Sequence, residues 1–167
     1  TISNDGGWQS EPDLLDWGGD PARSVAAAIT NLMGQIMVRK SGPTFGPANI
    51  DWRIAGWANI NRKGDYNIAH THAGSYWSAV YYVEADDRKD VEGELEFLDP
   101  RGVLPIHSLP HLYLGFKGYS SAGREERYKP KAGECVLFPS WLLHGVRSYI
   151  GDGVRISLAF NITAPST

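Results

Sequence analysis

Apolar residues between positions 20 and 40 recur at spacings of three and four, the period of one buried helical face. Asp20 and Pro21 give the signals of a helix start, an N-cap followed by a proline in the first turn. The segment KSGP at 40–43 gives the stop signal. The apolar stripe comprises Val25, Ile29, Leu32, Ile36 and Met37. The pattern predicts one long helix over residues 20–40.

From residue 52 onward, the pattern changes to short apolar, aromatic and β-branched runs bounded by Gly, Pro or Asp, which is typical of strands. The runs lie at 52–60, 76–84, 93–98, 133–138, 143–149 and 154–162. Residues 1–19, with two Gly-Gly pairs, predict an irregular arm, and the proline-rich residues 99–130 predict a long excursion. The expected fold is mainly β: an antiparallel sandwich or jelly roll over residues 52–162, with the helix packed on one sheet.

The length and composition of the chain fit an ordinary globular domain. A length of 167 residues predicts a single domain over residues 1–167. Hydrophobic residues make up 42% and charged residues 21%, which excludes a disordered or fibrous chain. The formal net charge of −3 lacks the basic excess of a nucleic-acid-binding protein, so no nucleic-acid partner is expected.

The cysteine content and the apolar runs bear on the compartment. The single cysteine, Cys135, cannot form a disulfide within the chain, which fits a reducing compartment and predicts a cytoplasmic location. No run of 18 apolar residues is present, so we expect no membrane-spanning helix. The first residues also lack the basic and apolar regions of a signal peptide.

The first candidate for chemistry is the segment His70-Thr71-His72, just before the aromatic run at 76–84. In an extended segment, residues i and i+2 point to the same face, so both imidazoles can bind one metal ion. Histidine is a common ligand for Zn, Fe, Cu and Ni. Two surface histidines at a strand end would give the same pattern, so this segment alone does not decide the matter.

A third histidine strengthens the metal hypothesis. His144 follows a predicted strand and a turn at Pro139-Ser140, and it begins the next predicted strand. From there its imidazole can face the interior. A buried structural histidine is the alternative for His144 taken alone, but the nearby pair favours a metal site.

Arg155 and Ser157 lie two residues apart in the last predicted strand and therefore on one face of it. A guanidinium inside a sandwich needs an anion because an unpaired buried charge is costly, and its planar fork matches a carboxylate. A surface arginine paired with Asp152 is the alternative. Together with the three histidines, the pattern favours an internal carboxylate site.

The order of these motifs resembles that of the iron(II)- and 2-oxoglutarate-dependent oxygenases, and most of all their small bacterial and phage branch. The segments that carry the resemblance are HTH, YWSAVYYVEA, GELEFLDPR, PKAGECVLFPSWLLHGV and GDGVRISLAFNI, between about residues 57 and 162. The resemblance implies a double-stranded β-helix, which is a jelly-roll or cupin-like fold. It also implies a dioxygenase that converts 2-oxoglutarate to succinate and CO₂ while hydroxylating a substrate.

The resemblance also implies the residues that bind iron. The family's metal motif is HxD…H; His70 matches the first ligand, His72 stands where the Asp usually stands, and His144 matches the last ligand. In an alternative registration, the segment His72-Ala73-Gly74 supplies the ligand and His70 lies behind it. The shared face of His70 and His72 favours three histidine ligands for Fe(II).

The cosubstrate residues follow from the same resemblance. Arg155 and Ser157 match the RxS pair that binds the far carboxylate of 2-oxoglutarate. Tyr82 matches a tyrosine that supports this carboxylate in prolyl-hydroxylase-like members, and Asn61 matches a polar residue that contacts the cosubstrate.

The substrate is expected to be a small molecule or a peptide, selected by the arm and by the excursion, because loops on a rigid barrel carry selectivity. The basic and histidine residues of the excursion are Arg101, His107, His111, Lys117, Arg124 and Arg127.

Two other functions stay open at this point. A cupin-type metalloprotein fits Gly64 followed by the histidine pair, but the expected Glu is missing, the Gly133-to-His144 gap is too long, and Arg155 has no role. A non-catalytic jelly-roll binding module fits the six tryptophans, but it leaves the spacing of the histidines and Arg155 as coincidence.

Overall fold

The computed structural model describes residues 3–41, 43–47, 50–86, 88, 91–100 and 125–165. Over these residues the helices are α1 (Leu14–Trp17) and α2 (Gly19–Ile36). The strands are β1 (Asn4–Asp5), β2 (Trp8–Gln9), β3 (Val38–Ser41), β4 (Thr44–Pro47), β5 (Arg53–Asn61), β6 (Tyr66–His70), β7 (Trp77–Glu84), β8 (Leu95–Leu98), β9 (Glu125–Tyr128), β10 (Cys135–Pro139), β11 (His144–Val146) and β12 (Arg155–Thr163).

Two antiparallel five-stranded sheets form the body of the fold. Sheet A has the strand order β1-β6-β11-β8-β9, and sheet B has the order β10-β7-β12-β5-β2. Strands β3 and β4 form a separate hairpin. The prediction of a mainly β, double-stranded β-helix is confirmed. Strand β12 occupies the centre of sheet B, where it pairs with β5 over nine residues and with β7 on its other side.

The three central strands of sheet B alternate between two environments. In β12, Arg155, Ser157 and Ala159 line a pocket between the sheets. Leu158, Phe160 and Ile162, which alternate with them, belong to the hydrophobic core on the opposite face. This period of two places one set of side chains inside the barrel and the other set under the helices.

Helix α2 covers the outer face of sheet B, as predicted, and the predicted stripe matches its buried face in part: Ile29 is buried, and Val25 and Met37 pack against the core. The buried residues of α2 are Ala22, Ala26, Ile29 and Met33, and they share one core with Phe160 and Ile162 of the sheet. Leu32 and Ile36, which the spacing assigned to the buried stripe, are 39% and 53% exposed. Because alanine side chains are small, the backbone of α2 can lie close to sheet B on this face.

The bounds of the helix also differ from the predicted 20–40. Asp20 is not the N-cap: the helix follows Gly18, and Asp20 accepts a bond from Arg23 within the first turn. The helix ends at Ile36 because the backbone of Met37 is already extended, and β3 then pairs with β4. The last residues of the predicted helix are therefore part of a hairpin.

The N-terminal arm is more ordered than the sequence indicated. Strand β1 adds to the edge of sheet A beside β6, and β2 adds to the edge of sheet B beside β5. A short helix, α1, follows. These pairings join residues about 50 to 60 positions apart, so local sequence signals do not reveal them.

The excursion predicted at 99–130 is described only at its two ends. Residues 125–128 form β9, which pairs with β8 and extends sheet A. This end is therefore strand, not loop. Arg101, His107, His111, Lys117 and Arg124 lie outside the described residues. Neither α1 nor α2 combines the length and the apolar character that a helix needs to cross a bilayer.

Candidate metal centre and anion pocket

Three histidine side chains meet in the space between the two sheets. His70 is the last residue of β6 and His144 is the first residue of β11, and the two are directly paired across these strands. His72 lies beyond the end of β6, where its backbone N–H donates to the carbonyl of Ser140 at 3.0 Å. The two histidines of the HxH segment thus come together through this anchor, not through the strand alternation expected from the sequence.

The imidazole rings are close enough to share one ion. The ring centroids are 4.8 Å apart for His70 and His72, 4.4 Å for His70 and His144, and 5.1 Å for His72 and His144. One ligand atom from each ring lies within 4.8 Å of the others. This set of atoms can hold a metal ion.

Hydrogen bonds fix the tautomer of two of the three rings. Nδ1 of His70 lies 2.8 Å from the carbonyl of Ile68, and Nδ1 of His144 lies 2.8 Å from the carbonyl of Leu142. A carbonyl only accepts, so in the neutral ring Nδ1 carries the proton and Nε2 keeps its lone pair. Both rings therefore present Nε2 as a ligand atom.

The surroundings of the histidines favour the neutral form that binds metals. Burial lowers the pKa of His72 to about 4, and the neighbouring His70 and His144 add to this shift. Burial also lowers the pKa of His144 to about 4, against a hydrogen bond to Leu142 that raises it. Near pH 7 both imidazoles are neutral, so metal binding there does not have to displace a proton from them.

Arg155 is a buried cation without an anion. Its side chain is 3% exposed, and it donates to the carbonyl of Gly93 at 2.8 Å and to Oδ1 of Asn61 at 2.9 Å. Its Nε has no partner, and no ion pair involves Arg155 in the part of the chain that the structure describes. The predicted alternative partner, Asp152, pairs instead with Lys63 at 3.2 Å. An unpaired guanidinium in this environment calls for an anionic ligand.

The backbone around Gly93 is shaped to receive this guanidinium. Gly93 has a φ of +122°, and a Cβ there would lie 3.1 Å from the ring of Tyr149 and 3.4 Å from a terminal nitrogen of Arg155. A side chain at position 93 would therefore strain the backbone and crowd Arg155.

Two further predicted residues line the same pocket. Tyr82 of β7 pairs with Ser157 of β12, and Tyr82 is 2% exposed. Its hydroxyl group has no hydrogen-bond partner among the described residues, and burial raises its pKa. Asn61 takes a different place, because it lies behind Arg155 and is absent from the residues that line the pocket.

One pocket joins the histidines to the anion site. The space in it, with the open mouth included, is about 480 Å³. All three histidines line it, and so do Tyr82, Arg155 and Ser157. The structure thus places every predicted site residue on the pocket wall except Asn61, which lies behind Arg155 and accepts a hydrogen bond from it. Their roles as ligands stay predictions.

The pocket also contains polar residues that the sequence argument missed. Asn59 lines the pocket with a buried Oδ1 that has no partner among the described residues. Asn161 lies beside His72, with Nδ2 3.3 Å from Nδ1 of the ring. A signal was available for both, since Asn59 is two residues from Asn61 on β5 and Asn161 continues the inward face of β12.

A family model described as "Putative 2OG-Fe(II) oxygenase" matches residues 55–161, well over half of the chain. The chain belongs to this family. The description of the family names 2-oxoglutarate (2OG) and Fe(II). No curated protein matches the sequence.

Solved structures of other oxygenases have a similar fold. An oxidoreductase of the 2OG-Fe(II) oxygenase family from Burkholderia pseudomallei is 15% identical, with a TM-score of 0.55 over 90% of this chain and 56% of that one. The viral collagen prolyl hydroxylase of Paramecium Bursaria Chlorella virus-1 is 13% identical, with a TM-score of 0.56 over 94% and 78%. A prolyl hydroxylase from Trichoplax adhaerens is 12% identical, with a TM-score of 0.63 over 98% and 65%. The chain spans little more than half the length of the Burkholderia protein.

The residues present fit both groups that this oxygenase family uses. Two of the imidazoles have Nδ1 bonded to a carbonyl and a free Nε2, which suits Fe(II). A buried guanidinium and a buried hydroxyl, with neither an anion for the first nor a partner for the second among the described residues, suit a carboxylate. The donor set therefore agrees with the family from the chemistry of the side chains alone.

Proposed function

We propose that this protein is a 2-oxoglutarate-dependent oxygenase in which His70, His72 and His144 hold Fe(II) and Arg155 binds the far carboxylate of 2-oxoglutarate. The observation that carries the proposal is the presence of both features in one pocket: a group of three histidines and a buried arginine without an anion. When bound, iron and 2-oxoglutarate supply an O₂-dependent oxidation that yields succinate and CO₂ and hydroxylates a substrate.

The protein groups around the cosubstrate have separate tasks. Arg155 supplies the positive charge that neutralises the far carboxylate of 2-oxoglutarate. Its Nε, which has no partner among the described residues, is a further hydrogen-bond donor. Tyr82 and Ser157 add hydroxyl donors from the two neighbouring strands of the pocket. Asn61 orients the guanidinium by accepting a bond from it at 2.9 Å. This placement supports an indirect role for Asn61 in cosubstrate binding, in place of the direct contact that the resemblance implied.

A metal-only cupin or a binding module explains less of the pocket. Either can account for histidines between two sheets, but neither requires a buried cation without an anion beside them. Arg155 is held by two hydrogen bonds and neutralised by none of the described residues, which supports an anionic cosubstrate.

We propose a small-molecule or peptide substrate that enters over the histidines. The two residues whose backbones bond to His72 are Ser75 and Ser140, and each is followed by an exposed aromatic residue. Tyr76 is 58% exposed and Trp141 is 64% exposed, so they offer apolar contact beside the metal centre. One structural relative, the Trichoplax enzyme, is in complex with a peptide fragment. The cytoplasmic location expected from the single cysteine stays a prediction.

The test is an anaerobic titration of metal-free protein with Fe(II) and then with 2-oxoglutarate, followed by visible absorption. We expect a charge-transfer band on addition of 2-oxoglutarate. The Arg155→Ala variant should bind the cosubstrate more weakly by about 2–5 kcal/mol, or roughly 30-fold to several thousandfold, because it removes the only buried cation proposed for that carboxylate.

Arg147→Ala is the matched control, because Arg147 pairs with Glu92 at 3.3 Å and with Glu96 at 3.6 Å and does not line the pocket. It should leave the 2-oxoglutarate titration unchanged. If Arg155→Ala and Arg147→Ala give the same cosubstrate affinity, the anion-site proposal is wrong. Iron binding without any band would favour the cupin-type alternative.

A further inference from the structure

His72 differs from the other two histidines in what its Nδ1 atom contacts. Nδ1 of His70 and of His144 each faces a main-chain carbonyl. Nδ1 of His72 faces the side-chain amide of Asn161 at 3.3 Å. A carbonyl has one role, as acceptor, whereas an amide side chain can offer either its oxygen or its nitrogen. The tautomer of His72 therefore depends on which amide atom of Asn161, the oxygen or the nitrogen, faces the ring.

Asn161 is the middle of a closed ring of hydrogen bonds. Its other amide atom lies 3.1 Å from Oγ of Ser78, and that Oγ lies 2.8 Å from Oγ of Ser140. The backbone carbonyl of Ser140 accepts from the backbone N–H of His72, which closes the ring. Ser78 is 2% exposed and Ser140 is 0% exposed, so the two hydroxyl groups find their partners inside the protein.

This ring has two arrangements of its protons. With the amide nitrogen of Asn161 toward His72, Nδ1 accepts, the proton of the neutral ring sits on Nε2, and that atom cannot bind a metal. With the amide turned by half a rotation, its oxygen accepts from Nδ1–H and Nε2 has a lone pair. The turned amide then donates to Ser78, and Ser78 donates to Ser140, so both arrangements satisfy the contacts within the ring.

We propose that Asn161 is a positioning residue that holds His72 in its metal-binding tautomer through the amide oxygen, with Ser78 accepting from the turned amide nitrogen and donating to Ser140. The inference rests on the proposed metal centre and adds a determinant to it. Groups behind a metal ligand that fix its tautomer have a measurable share in metal affinity, typically 10- to 100-fold. Asn161 contacts Nδ1 of His72, so a substitution at Asn161 reaches the third ligand without removing it.

The test measures Co(II) binding by the full chain, through the affinity and the visible d–d bands. We expect Asn161→Leu to weaken Co(II) binding roughly 10- to 100-fold and to change the bands, because His72 loses the acceptor that keeps the proton on Nδ1. Asn161→Asp should restore both readouts, because a carboxylate only accepts hydrogen bonds. Ser78→Ala should give a smaller loss, since it removes the acceptor for the turned amide nitrogen but leaves the amide oxygen that faces His72.

A double-mutant cycle separates positioning from general damage to the fold. In the His72→Ala background, Asn161→Leu should no longer alter Co(II) affinity, because its effect acts through His72. An equal loss in both backgrounds, or an Asn161→Leu variant that binds Co(II) as well as the unsubstituted protein, would overturn the inference. If the unsubstituted protein bound no Co(II), the metal centre itself would be wrong, and this inference with it. The thermal midpoints of the metal-free variants confirm that folded proteins are compared.

Discussion

The two faces of strand β12 serve opposite purposes within the same nine residues. The inward face presents Arg155, Ser157 and Asn161 to the pocket and the histidines. The outward face presents Phe160 and Ile162, which are 1% and 0% exposed, to the helices. Strand β12 thus positions side chains of both the pocket and the core, and because alternate residues point to opposite faces, the two sets stay separate.

The faces differ most in whether their side chains have packing or hydrogen-bond partners. The outward face is filled by apolar contacts, and the pairing partners of Phe160 are the small residues Gly56 and Ala79. On the inward side, β12 and its neighbours β5 and β7 have buried polar atoms without partners among the described residues: Nε of Arg155, Oδ1 of Asn59 and the hydroxyl of Tyr82. Buried groups of this kind lower stability unless a ligand pairs with them. The outward face therefore stabilises the fold, while the inward face has polar atoms that are available to a ligand.

The largest effect that separates the faces is expected from Phe160→Ala. It removes a fully buried ring from the core under α2, and such truncations cost about 3–5 kcal/mol. The free energy of unfolding, measured by urea titration of the metal-free protein, should fall by this amount. The affinity of the folded fraction for Fe(II) should change little, because the ring faces away from the pocket. A loss of iron affinity as large as the loss of stability would show that the two faces are coupled.

The sequence predicted the alternation of β12 well because it is a local property. Arg155 and Ser157 were assigned to one face from spacing alone, and the structure places both on the pocket wall. His144 was expected at the start of a strand facing the interior; it begins β11 and is 3% exposed. A strand repeats every two residues, so a short motif is enough to fix which side chains share a face.

The features that the sequence did not reveal depend on distant parts of the chain. The contact of His72 with Asn161 joins residues 89 positions apart and exists only once the two sheets face each other. The buried side of α2 was predicted only in part for a similar reason. Spacing favoured Leu32 and Ile36, but the sheet accepts the alanine side, where the backbone can approach closely. The apolar periodicity of α2 predicts a stripe along the helix. The shape of the sheet surface that faces the helix decides which residues of that stripe are buried.

A smaller effect on the same outward face is expected from Gly56→Ala. A Cβ at this position would lie 2.7 Å from Cδ1 of Phe160 and 3.2 Å from the carbonyl of Ala159. Overpacking of this kind costs about 1–3 kcal/mol. Urea titration should show this loss for Gly56→Ala and little change for Gly46→Ala, the matched control, where nothing lies within 4 Å of the added atom.

The double variant Gly56→Ala, Phe160→Leu tests the cause of that loss. If the clash with the ring is responsible, Gly56→Ala should cost less in the Phe160→Leu background than in the unsubstituted protein. An equal cost in both backgrounds would point to the backbone contact with Ala159 instead.

The smallest change in stability, and the sharpest contrast between the faces, is expected from Tyr82→Phe. The hydroxyl group that it removes is buried and has no partner among the described residues, so its loss should leave the free energy of unfolding of the ligand-free protein unchanged or slightly higher. If that hydroxyl donates to the far carboxylate of 2-oxoglutarate, the same variant should bind the cosubstrate roughly tenfold more weakly, about 1.4 kcal/mol, because hydrogen bonds to charged groups are among the stronger ones. A loss of cosubstrate affinity without a loss of stability would therefore mark Tyr82 as a ligand-facing residue, whereas a loss of stability alone would contradict this role. Equal losses of both would mean that the hydroxyl group has a structural partner and that the inward face is not reserved for ligands.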